Sequence, residues 1–181
     1  MTRRQLEHVI RAAAGITGSD SFVVIGSQAV LGSHPDAPKE LVLSEEVDIF
    51  TLRSADDATL IDGTIGEGSP FHSTFGYYAH GVGEDTATLP DGWRDRLVSI
   101  RNGHTGGATG LCLEIHDLAV SKLCAGREKD VEYLVRLFKA GLADIAIVRS
   151  RLAATAMLDA DRQLRAKRLD RILQLVTPDP E

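Results

Sequence analysis

Two acidic residues, Glu46 and Asp48, lie one residue apart in an apolar run at 46–50, which is typical of a β-strand. Side chains at i and i+2 of a strand project from the same face, so both carboxylates should point toward one place. Adjacent carboxylates repel each other unless a proton or a cation lies between them. The expected cation is Mg²⁺ or Mn²⁺, because Mg²⁺ takes oxygen ligands and is often shared between carboxylates and substrate phosphates. Exposure of both acids to solvent is the alternative, but their strongly apolar neighbours favour a metal site.

A turn of two small residues, Gly26-Ser27, ends the apolar run at 21–25 that precedes these acids. Glycine at this position lets backbone N–H groups approach a phosphate closely, and the N-terminal end of the next helix would add positive potential. The Ser27 hydroxyl could donate a further hydrogen bond. A Gly-Ser pair is often a simple turn. Its combination with the two acids favours attack on a nucleotide phosphate.

The first half of the chain must position these residues, and it carries mixed strand and helix signals. Thr2 and Gln5 fit a capping box at the start of the first helix. Ser54 is expected to cap a helix that buries Leu60 and Ile61. The predicted elements are a helix at 2–15, strands at 21–26 and 46–52 with a short helix at 28–31 between them, and strands at 75–82, 96–101 and 111–115, the last two joined as a hairpin.

The second half of the chain is helical in pattern. Asp117 is placed to cap its first helix, and further helices are predicted at 142–157 and 161–176. The pattern predicts an α+β fold, with a small mixed β-sheet core at 1–115 followed by a C-terminal helical bundle at 116–181. The apolar stripe predicted for the helix before Gly141 consists of Val131, Leu134, Val135 and Phe138.

These motifs, in this order, resemble the nucleotidyltransferase superfamily with the DNA polymerase beta-like fold. The minimal core of that superfamily has a Gly-Ser turn followed by an acid-x-acid strand, as at 26–27 and 46–48. The segment 113–130, LEIHDLAVSKLCAGREKD, is similar to the DLA-x-x-K-L-x-A-x-R-x-K-D segment of bacterial nucleotidyltransferase-like proteins. These proteins include toxins of the AbiEii and MenT kind and a related group of domains, DUF6036, which residues 77–82 and 89–93 also resemble.

The resemblance implies a metal-dependent transfer of a nucleoside monophosphate from a nucleoside triphosphate to an acceptor hydroxyl, with release of pyrophosphate. Glu46 and Asp48 would bind Mg²⁺ (or Mn²⁺), and Gly26 and Ser27 would contact the β- and γ-phosphates. The superfamily usually has aspartate at the first acid, where this chain has glutamate.

A third acid is expected on a later strand, and two positions are candidates for it. Glu114 is the first, because it alternates with Leu113 and Ile115. His80 is the second, since it lies in the predicted strand at 75–82 and could occupy the same strand position.

A basic cluster near the predicted helix starts consists of Lys122, Arg127 and Lys129, with Asp130 beside it. Basic residues are unfavourable at a helix N-terminus, which indicates another purpose, such as contact with a nucleoside triphosphate. Solvation at the surface with pairing to Asp130 is the alternative. The resemblance implies that Lys122 and Asp130 serve the active site.

Composition restricts the class of protein. The chain has 181 residues, of which 43% are hydrophobic, which is enough for a sizeable core. No apolar run approaches the ~20 residues that span a membrane, and residues 1–8 lack the apolar region of a signal peptide, so we expect a cytoplasmic protein. Cys112 and Cys124 lie in apolar contexts and are expected to be core residues rather than a disulfide or metal ligands.

Charge is distributed unevenly around a net value of −6. Residues 149–171 hold seven basic and three acidic side chains, a net charge of +4. A solvated helical face with pairing across turns is the favoured interpretation, and a patch for an RNA backbone is the alternative.

Three functions remain open at this point. The acceptor is RNA, especially a tRNA end, as in the toxin-like relatives, which would imply a partner antitoxin. Alternatively, the acceptor is a small molecule or a protein side chain. In the third function, the fold is catalytically degenerate and only binds a nucleotide or a protein partner. The glutamate at position 46 favours this third function.

Overall fold

The computed structural model describes residues 1–176 and confirms the predicted α+β class. Short 3-10 turns occur between the main elements. The strands are β1 (Ser21–Ile25), β2 (Glu46–Phe50), β3 (Tyr78–Gly81), β4 (Val98–Ile100) and β5 (Thr109–Cys112). The helices are α1 (Arg3–Thr17), α2 (Val30–Ser33), α3 (Asp56–Ile65), α4 (Pro70–Phe75), α5 (Ile115–Ala125), α6 (Glu128–Lys139), α7 (Ile145–Ala153) and α8 (Asp159–Val176).

The five strands form one mixed sheet in the order β3-β2-β1-β5-β4. β1 lies between β2, which is antiparallel to it, and β5, which is parallel. β3 pairs with β2 in parallel, and β4 with β5 in an antiparallel hairpin, as predicted. The parallel β2–β3 pair needs a crossover connection, which α3 and α4 supply.

The sheet belongs to a compact unit formed by residues 1–86 and 96–114. The capping box of Thr2 and Gln5 is present at the start of α1 and confirms that prediction. α1 has a strongly amphipathic pattern and buries Leu6, Val9 and Ile10 completely. With the fully buried strand β1, these side chains form the core on which the rest of the sheet is assembled.

Two predictions for this unit are wrong. Leu60 was expected to point inward with Ile61, but it is 49% exposed, because only Ile61 faces the core from that turn of α3. No helix was predicted at 70–75, yet α4 forms there. Its signal is short: Ser69 caps the helix by accepting from the His72 N–H, and Pro70 occupies the first turn, where its missing N–H is tolerated.

A second compact unit contains residues 87–95 and the helices from residue 115 onward. Asp117 was predicted to cap α5, but it lies within the helix rather than before its first residue. It lies inside the first turn, fully buried, and forms an ion pair of 2.9 Å with Arg151 of α7. The buried face of α6 also differs from the predicted apolar stripe, because an aspartate near the start of the helix points toward the interior. Its buried residues are Asp130, Tyr133, Leu134, Leu137 and Phe138.

The basic residues of α7 and α8 engage groups within their own unit. Arg149 pairs with Asp170 at 2.6 Å, and Arg165 pairs with Asp161 at 2.5 Å. The guanidinium of Arg162 donates to backbone carbonyls at the end of α7. The favoured interpretation of a paired helical face therefore describes these side chains better than a patch for an RNA backbone. Within residues 1–176, no helix has the length and apolar character that crossing a membrane would require.

Candidate active and metal site

The two acids of β2 share one face of the sheet. Val47 and Ile49 are buried on the opposite face, so the alternation of the strand directs Glu46 and Asp48 together to the other side. Their side chains are 39% and 28% exposed, respectively, so neither is shut off from solvent.

The neighbouring strand β3 places two further polar side chains on the same face. Its parallel register sets Tyr78 beside Glu46 and His80 beside Asp48. The Tyr78 hydroxyl donates a hydrogen bond of 3.0 Å to Oε2 of Glu46. Nδ1 of His80 lies 3.0 Å from Oδ1 of Asp48 and 3.6 Å from Oε1 of Glu46.

Glu46, Tyr78 and His80 line a surface cleft of about 280 Å³. Asp62 of α3 accepts a hydrogen bond of 2.8 Å from the Gly81 backbone N–H, and so fixes the end of β3 next to His80. The cleft is lined by Glu46, Asp62, Glu67, Tyr78, Ala79 and His80. With the carboxyl groups of Glu46, Asp62 and Glu67 around one opening, the cleft favours a positively charged occupant.

Gly26 lies directly behind Asp48. Its φ of 69° and ψ of −168° belong to a region that only glycine adopts readily. A Cβ at this position would overlap the carboxylate of Asp48. Glycine is therefore required both by the backbone and by the close approach of the acid. Ser27 is the first residue of a 3-10 turn, and the helix α2 that follows has only four residues. Because α2 is so short, its N-terminal end contributes less positive potential than was predicted from the sequence.

The close approach of Glu46 and Asp48 changes the pKa values of the site. Burial, followed by hydrogen bonding with Glu46 and repulsion from it, raises the pKa of Asp48 to about 6, although His80 opposes the rise. Partial burial lowers the pKa of His80, but the nearby carboxylates, led by Asp48, outweigh this effect and leave that pKa above its ordinary value. Burial and the bond to Glu46 raise the pKa of Tyr78 to about 12, so its hydroxyl stays protonated and donates.

Of the two candidates for the third position, the structure brings His80 next to the acids. One ligand atom from each of Glu46, Asp48 and His80 lies within 4.8 Å of the others. Glu114 follows β5, which is separated from β2 by β1 in the strand order. Alternation along β3 could have identified Tyr78 as a further candidate, because residues 78 and 80 share a face. Sequence reasoning missed Tyr78 and Asp62, whose contacts depend on the β2–β3 register and on the placement of α3.

The predicted basic cluster lies in the helical unit, where Asp130 organises it. The Asp130 carboxylate is fully buried and lies 3.3 Å from Nζ of Lys122 and 2.7 Å from Nε of Arg127. It also accepts the Arg127 backbone N–H, which closes a capping box at the start of α6. Nζ of Lys122 lies 4.3 Å above the Tyr133 ring, whereas Lys129 is exposed. Asp130 and Lys122 therefore hold α5 and α6 together.

The donor atoms on β2 and β3 suit a divalent cation. A cation can replace the protons that the two carboxylates and the imidazole otherwise share. It would also remove the repulsion that raises the pKa of Asp48. Carboxylate oxygens suit Mg²⁺ and Mn²⁺, and an imidazole nitrogen suits first-row transition metals.

Comparison with known proteins identifies the class to which this fold and site belong. The profile of a family described as nucleotidyltransferases of unknown function, DUF6036, matches residues 4–174. The chain therefore belongs to this family, and its class is that of a nucleotidyltransferase. Searches of curated proteins and of solved structures found no match.

Proposed function

We propose that this protein transfers a nucleoside monophosphate from a nucleoside triphosphate to an acceptor hydroxyl, using a divalent cation, Mg²⁺ or Mn²⁺. The observation that carries the proposal is the convergence of Glu46, Asp48 and His80, whose ligand atoms all lie within 4.8 Å of one another. Family membership supports the same class of reaction.

The residues of this chain would bind and orient the donor nucleotide. Glu46 and Asp48 would hold the cation, which when bound supplies charge stabilisation to the reacting phosphate. The backbone at Gly26 and Ser27 would approach the β- and γ-phosphates, because glycine leaves that side of the chain open next to Asp48. The acceptor oxygen would bond to the α-phosphorus while the bond to pyrophosphate breaks, and the acceptor proton would pass to water or to a carboxylate of the site.

The roles that the resemblance gives to Lys122 and Asp130 stay predictions. Asp130 would act as a positioning residue, since its buried carboxylate fixes both the Lys122 ammonium and the Arg127 guanidinium. A Lys122→Met variant keeps most of the apolar volume and removes the charge. Weaker binding of a triphosphate with an unchanged melting temperature would support a direct role, and a lower melting temperature alone would indicate a structural one.

The acceptor class is proposed from the toxin-like resemblance, which indicates RNA, especially a tRNA end, and a partner antitoxin. An RNA acceptor predicts that binding weakens steeply as salt increases, because phosphate contacts release counterions. A small hydroxylated compound or a protein side chain predicts little dependence on salt. Several arginines of α7 and α8 pair with acids, so an RNA contact by these side chains would compete with those pairs.

The decisive experiment is calorimetric titration of each nucleoside triphosphate into the protein with Mg²⁺ or Mn²⁺, alongside Asp48→Asn. This variant keeps the size of the side chain and removes its charge. Binding that is lost in the variant supports the site and names the donor nucleotide for acceptor screens with an α-phosphate label. Equal binding by both proteins would refute the site. Tight binding without transfer to any acceptor would favour a catalytically degenerate module, the candidate that Glu46 at the first acid position also favours.

A further inference from the structure

We propose that His80 is a direct metal ligand, and that the site therefore selects Mn²⁺ over Mg²⁺. This inference rests on the proposed function, because it takes the cleft between β2 and β3 to be the cation site. It goes further by naming the third donor and the consequence of its chemistry.

The orientation of the imidazole supports ligation. Nδ1 of His80 faces both acids, at 3.0 Å from Asp48 and 3.6 Å from Glu46. Adjacent ligands of an octahedral ion with bonds of about 2.1 Å are separated by about 3.0 Å. The 3.0 Å between Nδ1 and Oδ1 of Asp48 matches the spacing of neighbouring ligands of one ion, and Oε1 of Glu46 lies somewhat farther, at 3.6 Å from Nδ1.

The orientation is built by the fold around β3. The backbone N–H of Gly81 donates to Asp62, and a Cβ on Gly81 would overlap the backbone of Ala58 in α3. The strand is therefore held tightly against α3, and the parallel register fixes His80 opposite Asp48. Because the side chain of His80 is 50% exposed, it can be exchanged without repacking the core.

The donor chemistry decides between the two cations. Mg²⁺ requires oxygen ligands in near-ideal octahedral geometry and keeps much of its water. A nitrogen ligand suits first-row transition metals, whose affinity for such a site rises from Mn²⁺ onward. The charge of the cluster attracts both dications alike, so the expected preference for Mn²⁺ comes from the nitrogen donor.

The test compares binding of Mg²⁺ and of Mn²⁺ to the unmodified protein, His80→Asp and a matched control, His104→Asp. His104 is exposed and lies in the connection between β4 and β5, at the edge of the sheet opposite β3, so its replacement adds the same charge elsewhere. Calorimetry gives the affinities, and pulsed electron paramagnetic resonance of bound Mn²⁺ detects coupling to a ligated nitrogen. Thermal melting without metal checks that each variant folds.

We expect the unmodified protein and His104→Asp to bind Mn²⁺ at least tenfold more tightly than Mg²⁺ and to show nitrogen coupling. His80→Asp should lose that coupling and should reduce the preference for Mn²⁺ by about tenfold or more. Coupling that persists in His80→Asp, or an unchanged ratio of affinities, would overturn the inference. If the inference is overturned in this way, the Asp48→Asn variant tests the proposed function separately. Loss of binding of both Mg²⁺ and Mn²⁺ in this variant would leave the proposed function standing. Binding as tight as that of the unmodified protein would refute the cation site itself.

Discussion

Replacement of Gly26 by alanine should disturb both the 26–27 turn and the Asp48 carboxylate of the site. Gly26 ends β1 with a φ of 69° and a ψ of −168°. An added Cβ would also overlap the Asp48 carboxylate. Two separate effects are therefore expected, one on the backbone of the 26–27 turn and one on the acid.

The size of the loss can be worked out from these two effects. A residue with a side chain in that region of φ and ψ costs about 1–3 kcal/mol. Displacing Asp48 breaks its 3.0 Å hydrogen bond with His80, which at a partly exposed site is worth about 0.5–1.5 kcal/mol. The free energy of unfolding of Gly26→Ala should therefore fall by about 1.5–4.5 kcal/mol. With a urea dependence of about 2 kcal/mol per M, the unfolding midpoint should fall by about 0.8–2.3 M.

Two other glycines separate these effects. Gly15 lies exposed within α1 with nothing near its Cβ position, so Gly15→Ala should stabilise the protein by about 0.5–1 kcal/mol. Gly18 ends α1 with a φ of 69° and open space around it. Gly18→Ala should therefore lose about 1–2 kcal/mol and leave cation binding unchanged.

Urea unfolding and Mn²⁺ titration of the three variants complete the test. Only Gly26→Ala should lose both stability and affinity for the cation. If Gly26→Ala unfolded at the midpoint of the unmodified protein, or kept full affinity for Mn²⁺, the argument for a required close approach between Gly26 and Asp48 would be wrong.

Two further predictions concern buried acids outside the cleft. The Thr51 hydroxyl, followed by Arg53 and Ser19, outweighs the effect of burial and lowers the pKa of Asp57. Its stabilising effect is therefore complete above the unfolded value of about 3.9 and is lost as pH falls through the folded pKa, so Asp57→Asn should flatten the acid side of a profile of urea midpoint against pH. Asp130→Ala leaves two basic side chains without their buried acceptor and should reduce the free energy of unfolding by about 3–5 kcal/mol in urea denaturation.

Each of these predictions has a result that contradicts it. Parallel acid limbs for Asp57→Asn and the unmodified protein would mean that Asp57 titrates alike in the folded and unfolded states. A midpoint unchanged by Asp130→Ala would mean that the buried carboxylate contributes nothing to the contact between α5 and α6. Asp36→Asn, at an exposed turn position, is a matched charge control for the pH series.

The sequence was sufficient for elements that carry a local signal. The capping box of Thr2 and Gln5, the apolar run of β1 and the alternation of β2 each depend on residues close together in the chain, and all three are present. The short helix α4 was missed because six residues contain too few turns to show a period, although Ser69-Pro70 is a start signal.

The remaining errors arose where a charged residue turned inward. Asp117 was expected to cap α5, but Arg151, which lies 34 residues later, provides an ion pair that permits its burial. Asp130 likewise enters the apolar stripe of α6 because Lys122 and Arg127 neutralise it. Helix propensity and hydrophobic periodicity predict that charged residues are exposed. A charged residue is buried only when the folded structure brings a partner next to it, and the sequence does not show that partner. The choice between His80 and Glu114 was open for the same reason, since it depends on which strand lies beside β2.

The location of His80 on an outer strand has a consequence for how such sites diverge in evolution. β3 is at one end of the strand order, and its histidine is half exposed. Asp48 instead adjoins Gly26 on the inner strands, so a change at either residue constrains the other. Substitutions at position 80 can therefore accumulate with little loss of stability, and related chains could exchange one cation for another while the pair of acids on β2 is retained.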